Sequence, residues 1–119
     1  MNKYHAKKVR TSDGVFDSQK EYRRYCELRM LERAGVVTNL QRQVRFELIP
    51  TQREPDTTGA RGGVKRSKII EKAVCYVADF VYDMDGKHIV EDCKGVRTDA
   101  YIIKRKLMLW VHGIRIAET

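Results

Sequence analysis

Residues 74–95, VCYVADFVYDMDGKHIVEDCKG, constrain the chain more than any other stretch. They read as an antiparallel hairpin: an apolar and aromatic strand from residue 69 to 82, a turn at DMDG, and a returning strand over 87–94. Strand interiors disfavour Asp, Glu and Lys. Yet Asp79 interrupts the first strand, and Glu91, Asp92 and Lys94 interrupt the second.

The turn fixes which of these side chains share a face. A two-residue Asp85-Gly86 turn pairs Met84 with Lys87 and sets Asp79 opposite Asp92. A four-residue turn pairs Tyr82 with Lys87 and sets Asp79 opposite Val90, diagonal to Asp92. Both registers place Asp79, Asp92 and Lys94 on one face, with neighbouring Cβ atoms about 4.5–8 Å apart. Glu91 and Cys93 then point to the other face, since a slip of one residue reverses every side chain. Two close carboxylates repel unless a cation lies between them. Mg²⁺ or Mn²⁺ suits such a site, because Mg²⁺ takes hard oxygen ligands from one or two carboxylates and keeps positions for water and phosphate. A lysine two residues on is placed to orient or deprotonate an attacking water. The spacing also suits an exposed ion pair, worth less than about 1 kcal/mol.

The chain has 119 residues and a formal net charge of +8. That length predicts one domain, and that charge predicts a polyanionic partner, nucleic acid rather than membrane. No apolar run approaches membrane-spanning length, and the basic start, MNKYHAKKVR, leads into no apolar segment of a secretory signal. Cys26, Cys75 and Cys93 form no CxxC pair, and His5, His88 and His112 are scattered singly. These spacings predict neither a zinc site nor a disulfide framework, and they fit a cytoplasmic setting.

Along the chain, residues 6–10 and 15–17 flank an Asp13-Gly14 turn and predict a first hairpin. SQKEYRRYCELRMLERAG follows as a helix, with Ser18 as N-cap, Glu21 completing a capping box and Gly35 as the stop. Tyr22, Tyr25, Cys26, Leu28 and Leu31 form its apolar stripe. Residues 36–50 turn extended, with Val44, Phe46 and Leu48 on one face and Gln43, Arg45 and Glu47 on the other. Residues 51–68 read as a mobile loop with a basic second half, in which Arg61, Lys65, Arg66 and Lys68 are candidates for phosphate contact. A second helix is expected from Thr98 to Val111, with Ile103, Leu107 and Trp110 as its buried stripe. Residues 114–117 close the chain as a short strand. Arg97, Lys104 and Arg105, near the second helix, are further candidates for binding nucleic acid. The order predicts an α/β domain built on a mixed sheet flanked by helices.

Asp79 followed by Asp92-Cys93-Lys94 resembles the D-x(n)-(D/E)-x-K signature of the PD-(D/E)XK nuclease superfamily. NKYHAKKV, FDSQKEYRRYCELRMLERAG, LQRQVRFEL, YVADFVY, VEDCKG and TDAYIIKRKL resemble a phage-encoded family within it. The resemblance implies a restriction-endonuclease-like αβββαβ core and metal-dependent cleavage of DNA, double-stranded or branched, in recombination or replication. It implies metal ligation by Asp79, Asp92 and Glu21, the helix acid, and a site role for Gln43. Ala78 stands where the superfamily's name has proline, and Asp92 where glutamate is commoner. Cutting both strands of a junction calls for a homodimer. The reading from another class is a DNA-binding module that kept the fold without the chemistry.

Overall fold

The computed structural model describes residues 7–65 and 67–119. His5, the first residue of the expected first strand, Ala6, and Arg66 lie outside the described residues. The elements are β1 (Val9–Thr11), β2 (Gly14–Phe16), α1 (Gln19–Arg33), β3 (Thr38–Ile49), β4 (Gln52–Arg53), β5 (Thr57–Thr58), β6 (Val64–Lys65), β7 (Ile69–Glu71), β8 (Val74–Met84), β9 (Lys87–Asp92), α2 (Asp99–His112) and β10 (Ala117–Glu118). They form a single small domain of mixed α/β content. Its main sheet has the order β10-β9-β8-β3. β3–β8 and β8–β9 are antiparallel and β9–β10 is parallel, so the sheet is mixed. The parallel pair needs a crossover, and α2 supplies it. No helix among the described residues is long and apolar enough to cross a membrane.

The first hairpin turns one residue earlier than the sequence suggests. Thr11 pairs with Gly14, so Ser12 and Asp13 form the turn. The second turns as the two-residue reading predicts. Met84 pairs with Lys87, and Asp85 and Gly86 take φ of 53° and 73°. Two consecutive positive φ values define the turn whose twist matches a hairpin.

α1 starts where its cap predicts, with Ser18 Oγ accepting from the Glu21 amide at 3.1 Å. The reciprocal capping contact lands one residue upstream: the Asp17 amide donates to Glu21 Oε2 at 2.6 Å. α2 also starts as expected, behind Thr98, and ends on left-handed Gly113. Its buried face differs from the expected stripe. Tyr101 and Met108 are buried and Leu107 is half-buried, while Ile103 and Trp110 are exposed. Tyr101, Leu107 and Met108 pack on the sheet, and the half-buried Lys104 and Arg105 fall between them, so this face carries a weaker apolar signal than the one turned to solvent.

Two cores cover the sheet. Phe16, Tyr25, Leu28 and Val37 pack with Phe80 and Tyr82 on the α1 side. Tyr101, Met108 and Ile116 pack with Leu48, Tyr76, Ala78, Val81 and Val90 on the α2 side. Strict alternation would keep Tyr76, Ala78, Phe80 and Tyr82 on one face. Instead the first two lie under α2 and the last two under α1, so β8 changes face at Asp79. β3 changes face at the same rung. Leu40 joins the α1 core and Val44 and Phe46 the α2 core, and Arg42 stacks on the Phe16 ring at 3.7 Å. Arg42 pairs with Phe80 and Val44 with Ala78, which sets Gln43 across from Asp79. Gln43 has φ of 52°, the local twist that such a face change requires.

The expected loop 51–68 is a β-ribbon. β4 pairs with β7 and β5 with β6, both antiparallel, continuing the β3–β8 hairpin outward. The long strand expected from residue 69 is accordingly interrupted at residues 72–73 before β8 begins. The closing strand sits later than expected, with Ala117 opposite Glu91 and Glu118 opposite Asp92.

Glu91 points away from Asp79 and Asp92, as the parity reading requires, into a buried ion pair. Its oxygens accept from Arg24 Nε at 2.6 Å, Arg24 Nη2 at 3.0 Å and Tyr82 Oη at 2.6 Å. Burial and Glu91 together push the Tyr82 hydroxyl up to about 12. Removing one partner of such a pair leaves an uncompensated buried charge. Glu91→Gln is therefore expected to lower the unfolding free energy by about 3 kcal/mol, read by urea denaturation. A loss below about 1 kcal/mol would place this pair with ordinary surface bridges.

Candidate active site

The face change gives Gln43 and Asp79 a common position at the mouth of a cleft. One lobe, of about 320 Å³, is lined by Asp17, Glu21, Asp79, Asp92 and Lys94 among others. An adjoining lobe shares Asp17, Asp79, Asp92 and Lys94 and adds Gln43, Tyr76, Thr98 and Lys104. All five expected site residues, Glu21, Gln43, Asp79, Asp92 and Lys94, thus border one connected cleft.

Each acid is held by a different element. α1 supplies Glu21, almost wholly buried, whose Oε1 accepts from Gln43 Nε2 at 3.0 Å. The same Gln43 nitrogen lies 3.4 Å from Asp79 Oδ1, so the amide bridges the two acids. Asp79 Oδ2 accepts from the Cys93 amide at 2.8 Å. Asp92 is 2% exposed, and its Oδ2 accepts from Tyr76 Oη. Lys94 Nζ stands 3.2 Å from Asp92 Oδ1 and 4.1 Å from the centroid of Tyr101. That approach is off the hydrogen-bonding direction, so buried Asp92 Oδ1 has no hydrogen-bond partner. β10 fixes the strand end that carries these groups. The Thr119 amide donates to Asp92 O at 3.0 Å, and the Lys94 amide to Thr119 O at 3.3 Å.

Electrostatics follow from the crowding. Burial pushes the Asp79 carboxyl up to about 8, with the Asp92 charge adding to the rise, the Cys93 amide opposing it and Glu21 adding a smaller part. Burial and the Asp92 contact raise the Tyr76 hydroxyl far above its ordinary range, so it stays a donor. Burial holds the Cys93 thiol up at about 11, which disfavours a thiolate nucleophile.

Among the described residues, Asp17, Glu21 and Asp79 form an acidic group, with one ligand atom from each lying within 4.8 Å of the others. The expected ligand set was Asp79, Asp92 and Glu21. Asp92 borders the same cleft, but it turns to Tyr76 and Lys94 and is not one of these three. Asp17 and Tyr76 were not found from sequence. Asp17 sits just before the N-cap, a position that signals only helix entry. Tyr76 reaches Asp92 only because β8 changes face.

The basic candidates divide. Lys104 lines the cleft. Arg97 and Arg105 instead meet Glu118 at 3.2 and 3.5 Å, and Tyr101 Oη donates to the same carboxylate at 2.7 Å. These contacts tether β10 to α2, a structural use of two arginines expected to bind nucleic acid. Arg61, Lys65 and Lys68 lie on the ribbon, exposed and away from the cleft.

A family model described as "Protein of unknown function (DUF1064)" matches residues 1–112. No curated protein and no solved structure matches the chain.

Asp79 has a consequence that requires no ligand. Its folded pKa lies above its unfolded one, so the fold binds that proton more tightly. The stabilisation is complete below the ordinary value of 3.8 and is lost as pH rises toward about 8. In EDTA, thermal melts of the parent should therefore lose stability across that window more steeply than Asp79→Asn. Parallel slopes for the two proteins would show that Asp79 ionises freely in the fold.

Proposed function

We propose, for a chain that belongs to the DUF1064 family, the metal-dependent hydrolysis of phosphodiester bonds in DNA. The observation that carries this reading is the convergence of Glu21, Asp79, Asp92 and Lys94 on one cleft, with Asp92 Oδ1 buried and without a hydrogen bond. Left alone, a buried carboxylate oxygen without a hydrogen bond is costly. Lys94 offsets part of that cost at 3.2 Å, and a further cation beside Asp79 would offset the burial, and then the Asp92 charge, that raise its carboxyl. An all-oxygen donor set with room for water suits Mg²⁺ or Mn²⁺ rather than a softer metal. The order α1-β3-β8-β9-α2-β10 supports a restriction-endonuclease-like αβββαβ core.

Asp79, Glu21 and Asp17 would hold the ion, with Asp92 at its edge. Bound there, a divalent ion supplies Lewis-acid polarisation of a phosphoryl oxygen. The chain's own groups do the rest. Gln43 fixes the Glu21 and Asp79 carboxylates relative to each other. Tyr76 holds Asp92, and Asp92 with the Tyr101 ring holds the Lys94 ammonium at the cleft. From there Lys94 orients a water toward phosphorus. The water gives up one proton to solvent as its oxygen bonds to phosphorus, the bond to one sugar oxygen breaks, and that leaving oxygen takes up a proton from solvent. Lys104, on the other lobe, faces the neighbouring phosphate charge. The net charge of +8 favours a polyanionic substrate.

Supercoiled plasmid and branched DNA incubated with Mg²⁺, Mn²⁺ or EDTA test this reading. Cutting should require metal. Lys94→Ala should slow it by a factor on the order of 10²–10⁴, the range for a lost acid–base group, while metal binding persists. Asp92→Asn should remove most cutting and leave DNA binding intact. A second readout is independent of turnover: Mn²⁺ should raise the melting temperature of the parent and not of Asp79→Asn. Metal-independent binding with no nicking would instead identify a DNA-binding module without the chemistry.

A further inference from the structure

Residues 52–71 form an arm whose character differs from the rest of the chain. β4 with β7 and β5 with β6 make a two-stranded ribbon, and none of its described residues joins either core. The arm is nevertheless a built structure. The Glu54 amide donates to Lys68 O at 3.0 Å, and Arg53 Nη1 to Ser67 O at 2.8 Å. The Ser67 hydroxyl donates to Glu54 O. At the tip the Gly62 amide donates to Gly59 O at 3.0 Å, and a side chain on Gly59 would crowd Gly63 O at 3.2 Å. Arg61 stands at that tip, and Lys65, Lys68 and Lys72 are exposed along the arm and its base, none in an ion pair among the described residues. Val64 and Ile70 are also exposed, at 79% and 55%. The chain's radius of gyration is 18.9 Å, where a compact chain of this length has about 13.5 Å.

A ribbon with unpaired cations, no core and a glycine-rich tip needs a partner to explain it. A two-stranded ribbon fits the major groove of B-DNA, about 12 Å wide. The arm follows on from β3 and β8, the two strands that carry Gln43 and Asp79, so the chain length between them bounds its reach from the cleft. At about 3.3 Å per residue, its base lies about 28 Å from that rung and its tip at most about 55 Å. Along duplex DNA this corresponds to about 8–16 base pairs.

We propose that the 52–71 arm is a preformed clamp that engages duplex DNA about three quarters of a turn to one and a half turns from the site of cutting, and so sets the minimum duplex length the protein holds. This rests on the reading that the partner is DNA. The alternative occupant, a second copy of the chain gripping Val64 and Ile70, is an outcome of the same test.

Fluorescence anisotropy in EDTA, with hairpin-capped duplexes of about 10 and about 30 base pairs, separates these cases. The parent should bind the longer duplex more tightly. The Arg61→Ala/Lys65→Ala/Lys68→Ala variant should lose that gain, with its slope of log affinity against log salt smaller by about 2.7 on the longer duplex. Binding to the short duplex should be unchanged. Lys65→Glu should weaken binding to the longer duplex alone, and circular dichroism should show both variants folded. Nicking in Mn²⁺ is scored separately. Arm-dependent binding by a parent that never nicks supports the clamp and overturns only the proposed hydrolysis. A parent that binds neither duplex overturns both. Unchanged length dependence and salt slope in the folded variants overturn the clamp. So does a dimer, seen by sedimentation, that dissociates on Val64→Asp while DNA binding is kept.

Discussion

The rung formed by Gln43 and Asp79 is the constraint on which the structure turns. On either side of it β3 and β8 show opposite faces to the two helices. A regular pair of strands would have given α1 one continuous apolar face and left α2 a polar one. The face change lets one pair of strands serve both cores, since Phe80 and Tyr82 close over α1 while Tyr76 and Ala78 close over α2. The cost is one left-handed residue, Gln43 at φ 52°, on the order of 1–3 kcal/mol for a strained position of this kind. The surrounding sheet outweighs it, and the strained residue borders the cleft.

The same rung explains why acids survive there. Asp79 sits at the junction of two faces, so neither core excludes it, and two donors reach it: Gln43 from β3 and the Cys93 amide beyond β9. Asp92, directly across, is less well provided for. One oxygen has Tyr76, and the other has only the misaligned approach of Lys94. A fold gains nothing in stability from two buried carboxylates in one cleft. Glu91 shows the contrast. It is as deeply buried, but a guanidinium and a hydroxyl satisfy both its oxygens, and it needs no chemistry to account for it.

Outside the cleft, the cations sort into two uses. Arg24, Arg97 and Arg105 are engaged by glutamates and hold elements together. Arg61, Lys65 and Lys68 of the arm have no such partners among the described residues, as Lys7, Arg23, Lys87 and Lys106 elsewhere have none. That division was invisible in the net charge, which counts every cation alike.

The sequence by itself determined the second hairpin and its parity. Both turns that the sequence allowed put Asp92 on the Asp79 face and Glu91 on the other, and the structure selected the two-residue turn that sets Asp79 across from Asp92. It determined both helix starts, because Ser18 and Thr98 cap through local backbone geometry. Tertiary structure alone decided the rest. Which face of α2 is buried depended on the sheet beneath it, and Ile103 with Trp110 offered an equally good apolar spacing that the fold left in solvent. The 51–68 stretch is poor in apolar residues and so looked like a loop, although strand pairing there runs through backbone groups. Asp17 and Tyr76 joined the cleft through a cap position and a change of face. Neither leaves a periodic signal, because each depends on where a second element lies rather than on its own neighbours in the chain.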